Sequence, residues 1–305
     1  MSFSKETEQR SKSDILLSQD KKSFSLGRSI DYRLGLHLSS EEAKRIIDKN
    51  SIVKIINFPL DRRALADFGS TLGRLMPKHT DKANTIEDFI GIVRLRSDIE
   101  PEERFATQDN SELNPHTAHS WGIQRPRYFG LLMVNPGWRD ETQGERGESM
   151  YVRLKDALEE MKKQFPETYE EDIQLLRYTK VEFFGKRKGA NVSNMPILFP
   201  IDENGTLGFR YKENMLEDLE ELTPFIPNGD RYFQAAQRFD KSLLSSSHII
   251  QLTQGDLIIL DNRLIAHARK PFVAERIDNL DQISQSPRLL YSMHVHPDIF
   301  DKNSS

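Results

Sequence analysis

No cysteine occurs anywhere in the 305 residues, which leaves the chain without a disulfide framework, a thiolate metal cluster or a cysteine nucleophile. Any metal would have to sit on His, Asp or Glu. An excess of charge of one sign is lacking as well. The 47 acidic residues nearly balance the 43 basic ones, for a formal net charge of -4 and a pI near 6.1, so nucleic acid is a disfavoured partner. No apolar run reaches the roughly 18 residues that a membrane span needs, and residues 1–24 read as a polar, Ser- and Lys-rich arm rather than a secretory signal. These absences give the expectation of a cytoplasmic chain with no membrane partner.

What is present suffices for a sizeable core: 37% of the residues are hydrophobic, and one large domain over about residues 25–300 is the default. Ser39 and Glu42 have the spacing of a capping box, with Ala43, Ile46 and Ile47 following at helical spacing, so a helix is expected to start near Ser40. Residues 51–58 (SIVKIINF) are β-branched and read as a strand. Asp61 can then cap a second helix carrying Leu65, Phe68, Leu72 and Leu75. An apolar strand over 128–134 ends at Asn135-Pro136-Gly137, and Leu154, Ala157, Leu158 and Met161 mark a helix of some 14 residues. Beyond Pro166 the pattern turns strand-rich, with strands at 178–184, 196–199 and 207–211, a helix over 230–244, and further strands at 248–253, 257–260, 264–268 and 288–296. The acidic stretch 213–221 is most simply a solvated helical face or loop. The fold class is α+β with a C-terminal block of short strands and no internal repeat.

Of eight histidines, two stand out by context. His116 opens the segment 116–132 (HTAHSWGIQRPRYFGLL), directly before a buried strand, and His267 lies in 261–272 (DNRLIAHARKPF). Ligands so distant in the chain meet only in a fold that returns late strands beside early ones, as a double-sheet jelly roll does. In the last strand Arg288, Leu290, Ser292 and His294 share one face, which places a guanidinium on the buried side where it could clamp a carboxylate.

These segments, followed by Arg288, resemble the iron(II)- and 2-oxoglutarate-dependent oxygenases of the taurine dioxygenase and clavaminate synthase group, in particular the amino-acid hydroxylases. The resemblance covers roughly residues 51–295. It implies a double-stranded β-helix, or jelly roll, with flanking helices, and a small amino-acid-like substrate with Fe(II), 2-oxoglutarate and O2. It makes His116 and His267 the metal ligands and Arg288 the partner of the cosubstrate's distal carboxylate. Ser149 falls where the family usually has a Thr on the same cosubstrate. A second family arginine meets Ser292 here.

The larger departure is at Ala118, where hydroxylases carry the Asp or Glu that completes a facial triad. Replacement of that carboxylate by Ala resembles the halogenases, in which chloride takes the vacated place. The other readings are a carboxylate from elsewhere such as Asp140, His119 as a third histidine, an atypical hydroxylase or desaturase, and a non-catalytic jelly-roll binding protein. Trp121, Arg125 and Arg127 invite a substrate role, against the simpler reading that Trp121 packs under the sheet and the arginines coat its rim; Arg210 lies in a central segment that often contributes substrate contacts in these hydroxylases and would meet either a substrate carboxylate or solvent.

Overall fold

Strands buried on both faces read as unbroken apolar runs, and the segments 52–56 and 257–261 (IVKII and LIILD) become neighbours in the largest sheet of the protein. The structure is a computed structural model that describes residues 29–77, 84–96, 99–100, 108–122, 124–137, 146–182, 194–272 and 288–296. The sheet contains seven strands: β1 (Ile30–Asp31), β2 (Ile52–Ile56), β3 (Arg74–Leu75), β4 (Gly91–Arg94), β6 (Tyr128–Asn135), β13 (Leu257–Asp261) and β15 (Leu289–His296). Its order is β1-β2-β13-β6-β15-β3, with β4 also on β15, and every pairing but β1–β2 is antiparallel. A second sheet of four strands has β12 (His248–Ile250), β7 (Ser149–Arg153), β14 (Ile265–Arg269) and β5 (Leu113–His116) side by side.

Alternation along each strand sorts the core into layers. Val53, Ile55, Leu257, Ile259 and Leu132 point to one side of the large sheet, where helices α1 (Leu36–Asn50) and α2 (Arg62–Leu72) cover them. Ile52, Ile258, Leu260, Phe129, Met133 and Leu290 point to the other side and pack against Tyr151, Ile265 and Ala118 from the small sheet and its edge. The two sheets therefore face one another across a shared apolar interior. Outside the small sheet lie α3 (Leu154–Gln164), α4 (Tyr169–Tyr178), α5 (Met215–Leu222) and α6 (Gly229–Ser245), packed on Val152 and Ala266. Two short hairpins complete the description, β8 (Val181–Glu182) with β9 (Asn194–Met195) and β10 (Leu198–Pro200) with β11 (Leu207–Phe209). No helix of the described residues is long and apolar enough to cross a membrane.

Several expectations need correction. The first helix starts at Leu36, not near Ser40. Gly35, at φ 95°, turns the chain into the helix early, and Ser40 sits inside it with its hydroxyl donating to His37 O at 3.0 Å, so no capping box forms. The second helix stops at Leu72. Gly73 follows, where a side chain would meet His296 O at 2.4 Å, and Leu75 belongs to β3. Asp61 caps that helix as expected, accepting from Ala64 N at 2.8 Å. The third helix is shorter than expected, at 11 residues. The expected strand over 178–184 is only Val181–Glu182 among the described residues, and a helix, α4, precedes it. The signal for α4 was present: three acids in its first turn, Arg177 in its last, and Ile173 and Leu176 on one side. The acidic stretch contains α5, with Met215 and Leu219 inward.

Because Leu260 is 1% exposed between the two sheets, we expect Leu260→Ala to cost about 2–5 kcal/mol of stability in chemical denaturation. A loss under about 1 kcal/mol would contradict a packed interior at that point.

Candidate functional site

Strand pairing brings the two histidine segments together. In the antiparallel pair β5–β14 the residue opposite His267 is His116, and the next bond is offset by an irregularity before Arg269. The two imidazole rings consequently lie 4.1 Å apart, centroid to centroid, at 49°. Phe129 stacks on the far side of His267 at 4.3 Å. His116 donates through Nδ1 to the carbonyl of Asn114 at 2.9 Å, which leaves Nε2 with its lone pair. His267 has Nδ1 buried with no hydrogen-bond partner among the described residues, a state that calls for an explanation in a native interior. Burial holds both rings below the usual histidine pKa. For His116 the Glu213 charge and the Asn114 bond oppose the shift, while for His267 the neighbouring His116 and His294 deepen it. Two neutral, convergent imidazoles are the form that a divalent metal takes as ligands, so the residues present fit a metal.

Ala118 follows two positions after His116 and is buried within the shared interior. Its backbone is clamped by one residue. Asn262 accepts from Ala118 N at 2.6 Å, donates to Ala118 O at 2.9 Å and to Pro126 O at 3.1 Å, and gives its own N–H to Arg127 O. Thr117 is tied to Tyr211 on the other side, through Thr117 N to Tyr211 O at 2.8 Å. Among the described residues no group of three His, Asp or Glu could hold a metal ion. His119, at φ 52°, has its ring 4.6 Å from that of His294 and 6.0 Å from that of Trp121. Asp140 lies outside the described residues.

A cationic cradle lies in the same interior. Arg288 is 4% exposed, and a Cβ on Gly147 (φ +65°) would meet its Nε at 2.7 Å and its Cδ at 2.9 Å. Glycine is needed there both for the conformation and for the approach. Phe272 lies beside both guanidiniums, its ring centroid 5.6 Å from that of Arg288 and 5.0 Å from that of Arg269. Arg269 donates to the carbonyls of Asp109 and Ser111 at 2.7 and 2.8 Å. Burial, with Arg269 adding, pushes the Arg288 guanidinium down to about 9, against weaker pulls from Tyr151 and Glu148. A buried cation under that pressure is relieved by an anion. Ser149 is buried opposite Arg269 in the β7–β14 pair, and Tyr151 stands two residues on. Burial raises the Tyr151 phenol, with Ser149 and Arg288 pulling the other way. Its hydroxyl nevertheless lacks a hydrogen bond of good geometry.

The other candidates are engaged in packing. Arg210 is wholly buried away from solvent and donates to the carbonyls of Val181 (2.7 Å), Pro196 (3.2 Å) and Met195, so it ties the small hairpins together. Arg125 stacks on Phe199 at 4.4 Å, Arg127 pairs with Asp48 and Asp261, and Trp121 packs against the outer core. Sequence reasoning missed Asn262, Arg269, Tyr151 and Gly147. Asn262 and Arg269 lay in plain view within the quoted DNRLIAHAR segment, but their partners are about 150 residues away in the chain.

Two buried neutral histidines bind protons less readily folded than unfolded, so the metal-free protein loses stability as pH falls through the ordinary histidine pKa of 6.5. Thermal melts should show the drop between about pH 7 and pH 5, reduced in His267→Asn. A flat profile, or one unchanged by the substitution, would contradict the neutral pair.

No curated protein sequence matches the chain. Solved structures share its fold. An asparagine oxygenase in complex with Fe(II), 2S,3S-3-hydroxyasparagine and succinate matches with a TM-score of 0.62 and 15% identity, over 86% of this chain and 79% of that one. The non-heme iron oxygenase OrfP, in complex with Fe and alpha-ketoglutaric acid, matches with a TM-score of 0.57 and 16% identity, over 85% and 79%. PvcB from Pseudomonas aeruginosa matches with a TM-score of 0.58 and 14% identity, over 86% and 81%. The sequence model of the taurine catabolism dioxygenase TauD, TfdA family matches residues 19–291, and the chain, with its paired histidines and buried arginine cradle, belongs to that family of dioxygenases.

Proposed function

We propose that the protein is an Fe(II)- and 2-oxoglutarate-dependent enzyme that attacks an unactivated C–H bond of a small amino-acid-like substrate, with Ala118 leaving a metal position open to a halide. The two facing sheets are taken as a distorted jelly roll in a single domain over about residues 25–300. The observation that carries the reading is the pair of neutral buried rings of His116 and His267, 4.1 Å apart, with the buried Ala118 two positions after His116. The neighbouring structures hold Fe and either alpha-ketoglutaric acid or succinate with a hydroxylated amino acid, which supports the cofactor set and the substrate class.

In this reading His116 and His267 hold the metal, with the Asn114 carbonyl fixing the His116 tautomer. Arg288 takes the distal carboxylate of the cosubstrate, held in place by Gly147 and Phe272, with Ser149 on the wall opposite. Arg269, from β14, contributes positive charge beside Arg288, while the buried Ser292 stands where the family has its second arginine. Iron, 2-oxoglutarate and O2 together supply the oxidising power that breaks the substrate C–H bond. The protein's part is to orient these groups and to exclude water, for which Phe129, Leu290 and Ile258 line the interior. Ala118 offers no lone pair, and a missing carboxylate leaves the metal more positive and better able to hold an anion. A halide-independent hydroxylase is the second reading, favoured by the hydroxylated amino acids in the neighbouring structures.

Anaerobic titration with Fe(II) and 2-oxoglutarate should produce a visible charge-transfer band, lost in His116→Ala and His267→Ala. Turnover with chloride or bromide and labelled oxygen, read by mass spectrometry, then separates the readings. Halogenated product supports the open position at Ala118. Oxygen incorporation indifferent to halide sinks it in favour of the hydroxylase.

The cradle predicts its own variant. Gly147→Ala imposes strain at φ +65° and drives a methyl group into Arg288. Calorimetry should show 2-oxoglutarate binding weakened by about ten-fold or more, the scale of one charge-assisted contact, with Fe(II) affinity retained. Unchanged binding would place the cosubstrate elsewhere.

A further inference from the structure

The register that pairs the two histidines brings a third side chain to them. Tyr151 is directly opposite His267 in the antiparallel β7–β14 pair, as His116 is in the β5–β14 pair, so Tyr151, His267 and His116 form one row across the small sheet. Residues directly opposite in such pairs have Cβ atoms about 4.5–5.5 Å apart. Two positions earlier on β7, and therefore on the same face, Ser149 is opposite Arg269. That face is the interior one, for Tyr151 is 0% exposed and packs in the layer that contains Phe129, Ala118 and Leu290.

A phenylalanine would fill the same space, so what Tyr151 adds is its hydroxyl. Buried phenols ordinarily find a partner, as that of Tyr211 does by donating to Asp240 at 2.9 Å. The Tyr151 hydroxyl is buried too, yet among the described residues it has no hydrogen bond of good geometry. The groups that act on it are Ser149 and Arg288, and Arg288 feels Tyr151 in turn. These are the residues of the carboxylate cradle. Burial keeps the phenol protonated, so it meets an anion as a donor. In the oxygenase reading the cosubstrate reaches from the histidine pair to Arg288, and Tyr151 stands on the wall between His267 and the Ser149–Arg269 pair.

We propose that the Tyr151 hydroxyl donates a hydrogen bond to the distal carboxylate of the cosubstrate beside Arg288, and so helps this site to select a dicarboxylic keto acid over a monocarboxylic one. This rests on the oxygenase reading and adds to it a cosubstrate-binding residue from β7. An apolar wall alone would hold the carbon chain of either kind of keto acid. Donors at the far end distinguish them, because a carboxylate brought out of water must find its hydrogen bonds in the protein.

The test is equilibrium binding to the full chain loaded anaerobically with Fe(II). Calorimetry compares 2-oxoglutarate with 2-oxopentanoate, which has the same carbon chain and no distal carboxylate. Tyr151→Phe keeps the ring and removes only the hydroxyl. It should weaken 2-oxoglutarate on the order of ten-fold, the scale of one charge-assisted hydrogen bond, and leave Fe(II) and 2-oxopentanoate binding unchanged. The melting temperature of the metal-free protein should be unchanged or higher, since a buried hydroxyl without a partner costs stability in the folded state. If 2-oxopentanoate binds the wild type too weakly to measure, retained Fe(II) affinity and melting temperature take its place as the control. An unchanged 2-oxoglutarate affinity overturns the proposal and leaves the hydroxyl to a water molecule. An equal loss of both keto acids, a loss of Fe(II) or a lower melting temperature overturns it too, by making Tyr151 a part of the packing alone. In each of these outcomes the Fe(II)–2-oxoglutarate band of the wild type still stands for the oxygenase, and absence of that band removes both readings together.

Discussion

The antiparallel register that sets His116 opposite His267 fixes the rest of the site. Shifting β5 by one residue against β14 would turn Pro115 or Thr117 toward His267 and remove the imidazole pair altogether, because side chains alternate along a strand. That register is held from both ends. At one end Arg269 and Phe272 are bonded to the backbone of Asp109, Asn110 and Ser111, with Lys270 paired to Glu112. At the other, Asn262 grips the peptide groups of Ala118 and Pro126. Between these anchors the strands have little freedom to slide, and the two imidazoles are correspondingly well placed.

Burial then sets the chemistry. The same apolar walls that hold both imidazoles neutral keep the Tyr151 phenol protonated and put pressure on the Arg288 guanidinium to find an anion. Each group is in the protonation state that metal and carboxylate binding require, and the cause in each case is first the loss of water and only then a named neighbour. Ala118 fits this picture as an apolar member of the interior cluster, packed with Phe129, Tyr151 and Leu290 in the same layer.

Much of this was legible in the sequence where the signal is local. The β-branched runs, the Asp61 cap and the inward face of Arg288, Leu290, Ser292 and His294 could be read from spacing and composition, and the pairing of the two histidine segments was implied by the family resemblance. What escaped depends on contacts across the chain. The hydroxyl of Ser40 could cap a helix or bond back inside one, and Gly35 decided between them. Arg210 was open between a substrate carboxylate and solvent, whereas its guanidinium donates to the carbonyls of Val181, Met195 and Pro196. Asn262 gains its meaning only from Ala118 and Pro126, and no periodicity encodes that distance.

The central claim is that two histidines, and no carboxylate of the protein, hold the metal. An anaerobic crystal structure with Fe(II), 2-oxoglutarate and bromide, using the anomalous signal of bromide, tests it most directly. The account predicts iron on His116 and His267 alone among protein ligands, the distal carboxylate of 2-oxoglutarate on Arg288, and bromide at the metal beside Ala118. Iron bound through a carboxylate of the chain, whether Glu213 or another, or iron bound away from the histidine pair, would contradict it.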